Sequence, residues 1–376
     1  MIHYHRFRDQ QSYILKLLNK PIRQITTLIL LISCKLLSKL FRKVPLALAL
    51  LLLLPYSLNL QALSSKNGRG GNRSDSIIVP PSPFINFVRP NLVWGTRENA
   101  GPVDIWNPKK GFFVKSINPS SYELNFPTTG ANGLYFDLDI EGVDARQLTW
   151  EPVTHEGITA TVQWEIGEWD GWFDGPEDVL RVTITGPRLD DSEVDENGNY
   201  LDIGQKPTYP GLIYKPNLPQ TFELVGKDSE GNGVVTYGFV LQKWFLVRDI
   251  WDIESAPTHA EWCDGLGYRL PKVKDLTNAV CRGYNSSQCR GAGAIGATPS
   301  STGNHYQRQI GAGLFSEWGK MYYYIGAEFG GDDFPTTDSA NGVPFFTVAS
   351  FDGQIMKGYE STPLHPVIYD GLCVTP

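Results

Sequence analysis

The chain has 376 residues, with 33 Lys and Arg against 40 Asp and Glu and a net charge of −7. Nine of those bases and one of those acids fall in residues 1–43, so the part beyond residue 64 holds 24 bases against 39 acids, a charge of −15. A polyanion needs a basic face, so this excess of acid sets nucleic acid aside as a partner.

Ten Trp, 17 Tyr and 18 Phe, together with 38 Gly and 26 Pro, fit many short strands joined by tight turns better than a helical bundle. Residues 44–54 (VPLALALLLLL) form an uncharged run after the basic stretch, too short to span a bilayer comfortably. With small residues at Ala62-Leu63-Ser64, this reads as an extended signal peptide over 1–64 and a mature start near Ser65; an uncleaved anchor is the alternative. Leu31-Ile32-Ser33-Cys34 has the form of a lipidation box, but a longer apolar segment follows it where an acylated Cys would open a polar linker. Export places the remaining cysteines in a compartment that permits disulfides.

Residues 65–114 read as a linker followed by an irregular extended segment: 65–80 is rich in Gly, Ser, Asn and Arg, and 81–115 is punctuated by Pro and aromatics without alternation. Alternation begins at 133–140 (GLYFDLDI) and recurs at 158–164, 179–185, 222–225 and 234–241, with Gly, Asn and Asp turns between. That spacing predicts an immunoglobulin-like antiparallel β-sandwich over 115–242. Two loops in it invite a functional reading. The acidic stretch 190–199 offers oxygen ligands but lacks the bidentate Glu of a calcium loop, so a solvated turn at Asn197-Gly198 is the expectation. Trp169 and Trp172 sit among Glu165, Glu168, Asp170 and Asp174, where indoles beside carboxylates suit a sugar or a protein partner, while Trp164 continues a strand and reads as core.

From 243 the order becomes α+β. Thr258 and Glu261 have the spacing of a capping box, predicting a helix that carries Trp262 and Cys263 and stops at Gly265 and Gly267. Val273, Leu276 and Val280 share one face of a second helix ending at Gly283. Strands are expected at 321–325, 344–350, 354–359 and 367–374, with a type I′ hairpin at Asp352-Gly353. In a strand, Tyr323 would face opposite to Tyr322 and Tyr324, leaving at least one of the three rings exposed as a candidate ligand contact.

Cys263, Cys281, Cys289 and Cys373 permit three pairings. The short separation of Cys281 and Cys289 favours a local clasp, leaving Cys263 for Cys373. No C-x-x-C pair or suitably spaced His points to zinc, so neither metal nor cofactor is expected. Residues 291–296 (GAGAIG) spell a dinucleotide fingerprint but follow a cysteine-rich loop and not a strand. His155, His259, His305 and His365 are scattered, Ser316 lies outside a nucleophile elbow, and Glu165 with Glu168 is a pairing that any acidic chain produces, so no catalytic residue is assigned.

Several stretches carry a resemblance: 126–130 (FPTTG), 237–245 (YGFVLQKWF), 260–271 (AEWCDGLGYRLP), 275–277 (DLT), 314–319 (LFSEWG) and the final Cys373. In this order they resemble the C-terminal part of invasin/intimin-type enterobacterial adhesins, over roughly residues 115–376. The resemblance implies a disulfide-bonded C-type-lectin-like domain at 243–376 behind the sandwich, displayed on a bacterial surface or secreted, and binding a host-cell surface protein or glycan without catalysis. Three departures matter. The roughly 310 residues after the leader leave no room for the membrane β-barrel of full-length members, which suggests an outer-membrane partner for display. The family's "YWTS" strand reads FPTT at 334–337. The E-P-N or Q-P-D triplet of calcium-dependent lectins is also absent, so sugar binding does not follow from the fold. An accessory envelope protein is the alternative, with a secreted hydrolase behind it.

Overall fold

Alternating burial along the strands sets the architecture in the computed structural model, which describes residues 83–167, 177–189, 213–248, 255–283, 285–289, 294–330, 333–340, 342–360 and 369–376, all within one unit, Ile78–Pro376. The leader, the linker at 65–80, the acidic stretch at 190–199, His365, Trp169 and Trp172 lie outside the described residues.

The first sheet has seven strands: β1 (Phe84–Arg89), β2 (Trp106–Asn107), β3 (Gly111–Phe113), β5 (Leu134–Glu141), β7 (Val153–His155), β8 (Ile158–Gly167) and β9 (Glu177–Thr185). Their order is β2-β3-β1-β5-β9-β8-β7, antiparallel throughout. Residues 84–113, expected to be irregular, therefore supply three strands. Their Pro and aromatic punctuation hides the alternation, because Phe87, Val88, Trp106 and Phe112 are all buried. A smaller sheet, β11-β10-β6, pairs β10 (Gln220–Lys227) with β11 (Gly233–Leu241) and β6 (Thr149–Trp150). The two sheets meet face to face through aromatic rings: Phe136 of β5 lies 5.9 Å from Tyr237 and 6.0 Å from Phe239, whose ring is backed within its own sheet by Phe222 at 5.2 Å.

The chain then crosses into an α+β part without a break. β12 (Lys243–Val247) pairs in parallel with β4 (Thr129–Ala131) and antiparallel with β16 (Leu372–Val374). This three-stranded sheet draws on both sides of the expected boundary at 242/243, and one buried apolar cluster runs from Ile85 to Val374. The α+β part adds helices α1 (Ala256–Gly265), α2 (Val273–Leu276) and α3 (Leu314–Trp318), and a sheet of β13 (Asp333–Pro335), β14 (Phe346–Ala349) and β15 (Ile355–Lys357). A mostly β chain, with a sandwich followed by a disulfide-bonded α+β region, is the fold class read from the sequence.

Local details differ from expectation for identifiable reasons. α1 is capped three residues before Thr258, by Ser255, whose hydroxyl accepts from the Thr258 amide, and Pro257 sits in the first turn where no amide is needed. α2 is a single turn. Thr277 leaves helical geometry and its hydroxyl donates to Gly353 O, so Val280 goes instead into a bridge with Ile295. Gly353 has φ +71° but Asp352 is not in the left-handed region, and Ala349 pairs with Gln354. The hairpin loop is therefore longer than a type I′ turn. Residues 294–296 run extended beside 278–280, and a Cβ at Gly296 would meet Ala279 O at 2.4 Å, so that glycine serves close packing and no phosphate.

Candidate functional site

The triple tyrosine is not a strand. Met321–Tyr323 forms a 3₁₀ turn, which repeats every three residues and so turns 321 and 324 the same way. Met321 and Tyr324 are buried, whereas Tyr322 is 65% exposed and Ile325 77% exposed. Tyr324 is thus a core anchor and not a ligand contact: its hydroxyl donates to Trp318 O (2.8 Å) and accepts from the Asn91 amide (2.9 Å), and its ring meets Tyr135 edge-on at 5.2 Å. Tyr323 lies between these extremes, with Lys320 Nζ 4.9 Å above its ring and Tyr322 edge-on at 6.0 Å. Asn91 Nδ2 also donates to Lys320 O (2.8 Å), which ties the turn to the segment after β1. Two apolar side chains therefore stand in water on a turn whose other residues are fixed.

Beneath this turn, α3 joins the two parts of the molecule. Glu317 is fully buried and accepts from the amides of Thr128 (3.1 Å), Thr129 (3.0 Å) and Gly311 (2.8 Å) and from both threonine hydroxyls. Burial raises its carboxyl above the usual range, and these donors hold it back. Trp318 Nε1 donates to Thr129 O (3.0 Å), and its ring packs 4.7 Å from Phe126. The neighbouring Ser316 hydroxyl donates to Asn278 Oδ1 (3.1 Å), so it is a structural group and no nucleophile.

A second lock lies at β12. Asp275 receives Lys243 Nζ (2.6 Å) and Arg269 Nη1 (2.7 Å). Burial pushes its carboxyl up, but Arg269 and Lys243 more than offset this and leave it low. The stretches that carried the family resemblance thus meet as pairs: 126–130 with 314–319, and 237–245 with 260–271 and 275–277. Their role here is internal cohesion.

Both disulfides close within this region. Cys263 on α1 is bonded to Cys373 on β16 with Cα atoms 5.5 Å apart, and Cys281 is bonded to Cys289 at 5.8 Å. Beside the first, His259 is buried, with Nε2 2.8 Å from Tyr369 O and Nδ1 3.3 Å from Arg248 Nη1. Burial, with Arg248 beside it, lowers its pKa to about 4. This histidine is neutral and acts as a strut between α1 and the segment that leads into the last strand. Among the described residues no group of His, Cys, Asp and Glu is arranged to hold a metal.

Of the sequence candidates, Tyr322 and part of Tyr323 reach the surface and Tyr324 does not. Trp164, expected in the core, is 40% exposed with Arg146 stacked on its ring at 4.8 Å. Ile325 was missed, since only the three-residue period of a 3₁₀ turn would have pointed it outward. Tyr359, also missed, is 65% exposed beside a shallow depression lined by Val343, Pro344 and Glu360.

Two solved structures are similar to this chain. One is invasin, described as a bacterial integrin-binding protein, at 13% identity and TM-score 0.41, covering 78% of this chain and 39% of that one. The other is a C-terminal 282-residue fragment of intimin in complex with the intimin-binding domain of the translocated intimin receptor, at 10% identity and TM-score 0.38, covering 78% of this chain and 66% of that one. No family model matches the sequence, and no curated protein sequence does.

Proposed function

We propose that the chain is a non-catalytic, exported adhesin-like protein, displayed at a bacterial surface or secreted, that binds a host-cell surface protein through its C-terminal region. The observation that carries this reading is the turn at 321–325, where Tyr322 and Ile325 are exposed while Met321 and Tyr324 are locked into the core. An aromatic and an aliphatic group held rigid cost little to order on binding, which is how protein-binding anchors work. An aliphatic side chain as exposed as Ile325 offers nothing to a sugar hydroxyl, which favours a protein over a glycan. The buried titratable groups Glu317, Asp275 and His259 are occupied by internal hydrogen bonds, which supports binding and not catalysis.

The test is binding of the exported chain to epithelial cells, read by flow cytometry. Tyr322→Ala with Ile325→Ser is expected to weaken binding about tenfold or more at unchanged melting temperature. Equal binding by the double variant would remove this turn as the site.

A further inference from the structure

A second exposed aromatic stands next to the 321–325 turn. The Gly95 amide donates to Leu92 O (3.1 Å) and closes a turn that carries Trp94, which is 44% exposed. Trp94 has φ +55°, a left-handed backbone that glycine adopts freely and a bulky side chain resists. The neighbouring residue is held in place from below: Gly95 O accepts from Trp106 Nε1 (2.7 Å), and a Cβ on Gly95 would meet the Trp106 ring at 2.6 Å. The Trp94 indole has no hydrogen bond or ring contact among the described residues. Strain held at a side chain that is left half in water points to binding and not to packing.

The two turns are joined at Asn91, which is fully buried. Its amide donates to the Tyr324 hydroxyl (2.9 Å) and its Nδ2 to Lys320 O (2.8 Å), while its own O accepts from Arg308 Nη2 (2.7 Å). Its Oδ1 takes the Val93 amide (2.7 Å), so every polar group of Asn91 serves the junction. Trp94 lies three residues from Asn91, and Tyr322 two residues from Lys320, so each is within about 11 Å of the junction along the chain. A partner covers roughly 800 Å² on one side of a standard interface, an area that takes in both. Trp94 follows β1 and Tyr322 belongs to the α+β part, and the shared apolar cluster fixes the two against each other.

Lys320 stands at the seam. Its ammonium is 4.9 Å above the Tyr323 ring and has no carboxylate partner among the described residues. Residues 89–97 and 318–327 hold Arg89, Arg97 and Lys320 and no acid, in a chain where acids outnumber bases 40 to 33. Arg89 is taken by Asp137, and the next acids along the chain, Glu98 and Glu328, lie beyond the two turns. An unpaired cation between exposed apolar side chains is complementary to a carboxylate with apolar neighbours.

We propose that Trp94, Lys320 and Tyr322 form one composite docking surface, which takes a segment of a partner protein that presents a carboxylate between two apolar side chains. The carboxylate meets Lys320, and the apolar groups cover Trp94 on one turn and Tyr322 with Ile325 on the other. This rests on the reading of the 321–325 turn as a binding site and adds that one partner is held by both parts of the molecule.

The purified protein is titrated onto epithelial cells on ice and read by flow cytometry, with near-ultraviolet circular dichroism to show that each variant is folded. Trp94→Asn, a residue that accepts the left-handed turn, is expected to weaken binding about tenfold or more. Lys320→Glu is expected to weaken it at least as much, and Lys320→Arg, which keeps the charge, to leave it nearly unchanged. Unchanged binding by Trp94→Asn or by Lys320→Glu, while Tyr322→Ala with Ile325→Ser still loses it, would sink the composite surface and leave the 321–325 turn as the site. No binding by the unchanged protein, or no loss with any variant, would sink that reading too. A dimer in sedimentation that Trp94→Asn dissolves would give the surface to a second copy and equally overturn the proposal.

Discussion

His259 shows how a single residue ties stability to pH. Its pKa is lowered to about 4 in the fold, against 6.5 when unfolded, because it is buried and faces Arg248. Between those values the unfolded state binds more protons, so the fold is most favoured above about pH 6.5 and loses stability as pH falls toward 4, by about 3 kcal/mol in all. His259→Gln, which keeps a donor for Tyr369 O, is expected to flatten that part of a pH series of urea midpoints. An unchanged slope would show that protonation is met elsewhere. Asp352 works the other way. Burial raises it to about 6, so its penalty builds as pH rises from about 4 to 6 and is complete above that, and Asp352→Asn is expected to raise the melting temperature at pH 8 and leave it nearly unchanged at pH 4. Its Oδ1 accepts from the Gln354 amide (2.9 Å), an acceptor that Asn retains.

Among the elements, α3 carries more than its five residues suggest. Glu317→Ala would strand the donors of Thr128, Thr129 and Gly311 in the core, and a loss of about 4 kcal/mol or more is expected in urea unfolding. Glu317→Gln retains one acceptor oxygen and is expected to lose less; equal losses would mean that shape and not donor satisfaction sets the cost. Strands with clean alternation, such as 158–164 and 234–241, were legible in the sequence because one face is buried and the other is not. The strands at 84–113 were not, since two- and three-residue strands leave no room for a period. The 3₁₀ turn was misread as a strand because three tyrosines favour β structure, and the burial of Met321 and Tyr324 overrides that preference. Cys281 and Cys289 announced their pairing by proximity in the chain. That Glu317 and Thr129, 188 residues apart, bond to each other had no local signal.

At the scale of the whole molecule, the sandwich and the α+β part share a sheet and one apolar cluster, so they are expected to unfold together. Calorimetry of the purified protein is predicted to give one transition, and two resolved peaks would contradict a common core. The Cys263–Cys373 bond encloses a long loop, with a sequence separation of 110, worth about 5 kcal/mol by restriction of the unfolded chain, against about 2.6 kcal/mol for the Cys281–Cys289 clasp. The outer bridge has a mechanical side as well. Tyr322 lies within the covalent ring that it closes, so a pull on Tyr322 reaches Cys263 by two arms of chain, one direct and one through Cys373. Under the proposed function, tension from a bound partner would be divided between the arms, and each arm of the ring would bear only part of the load.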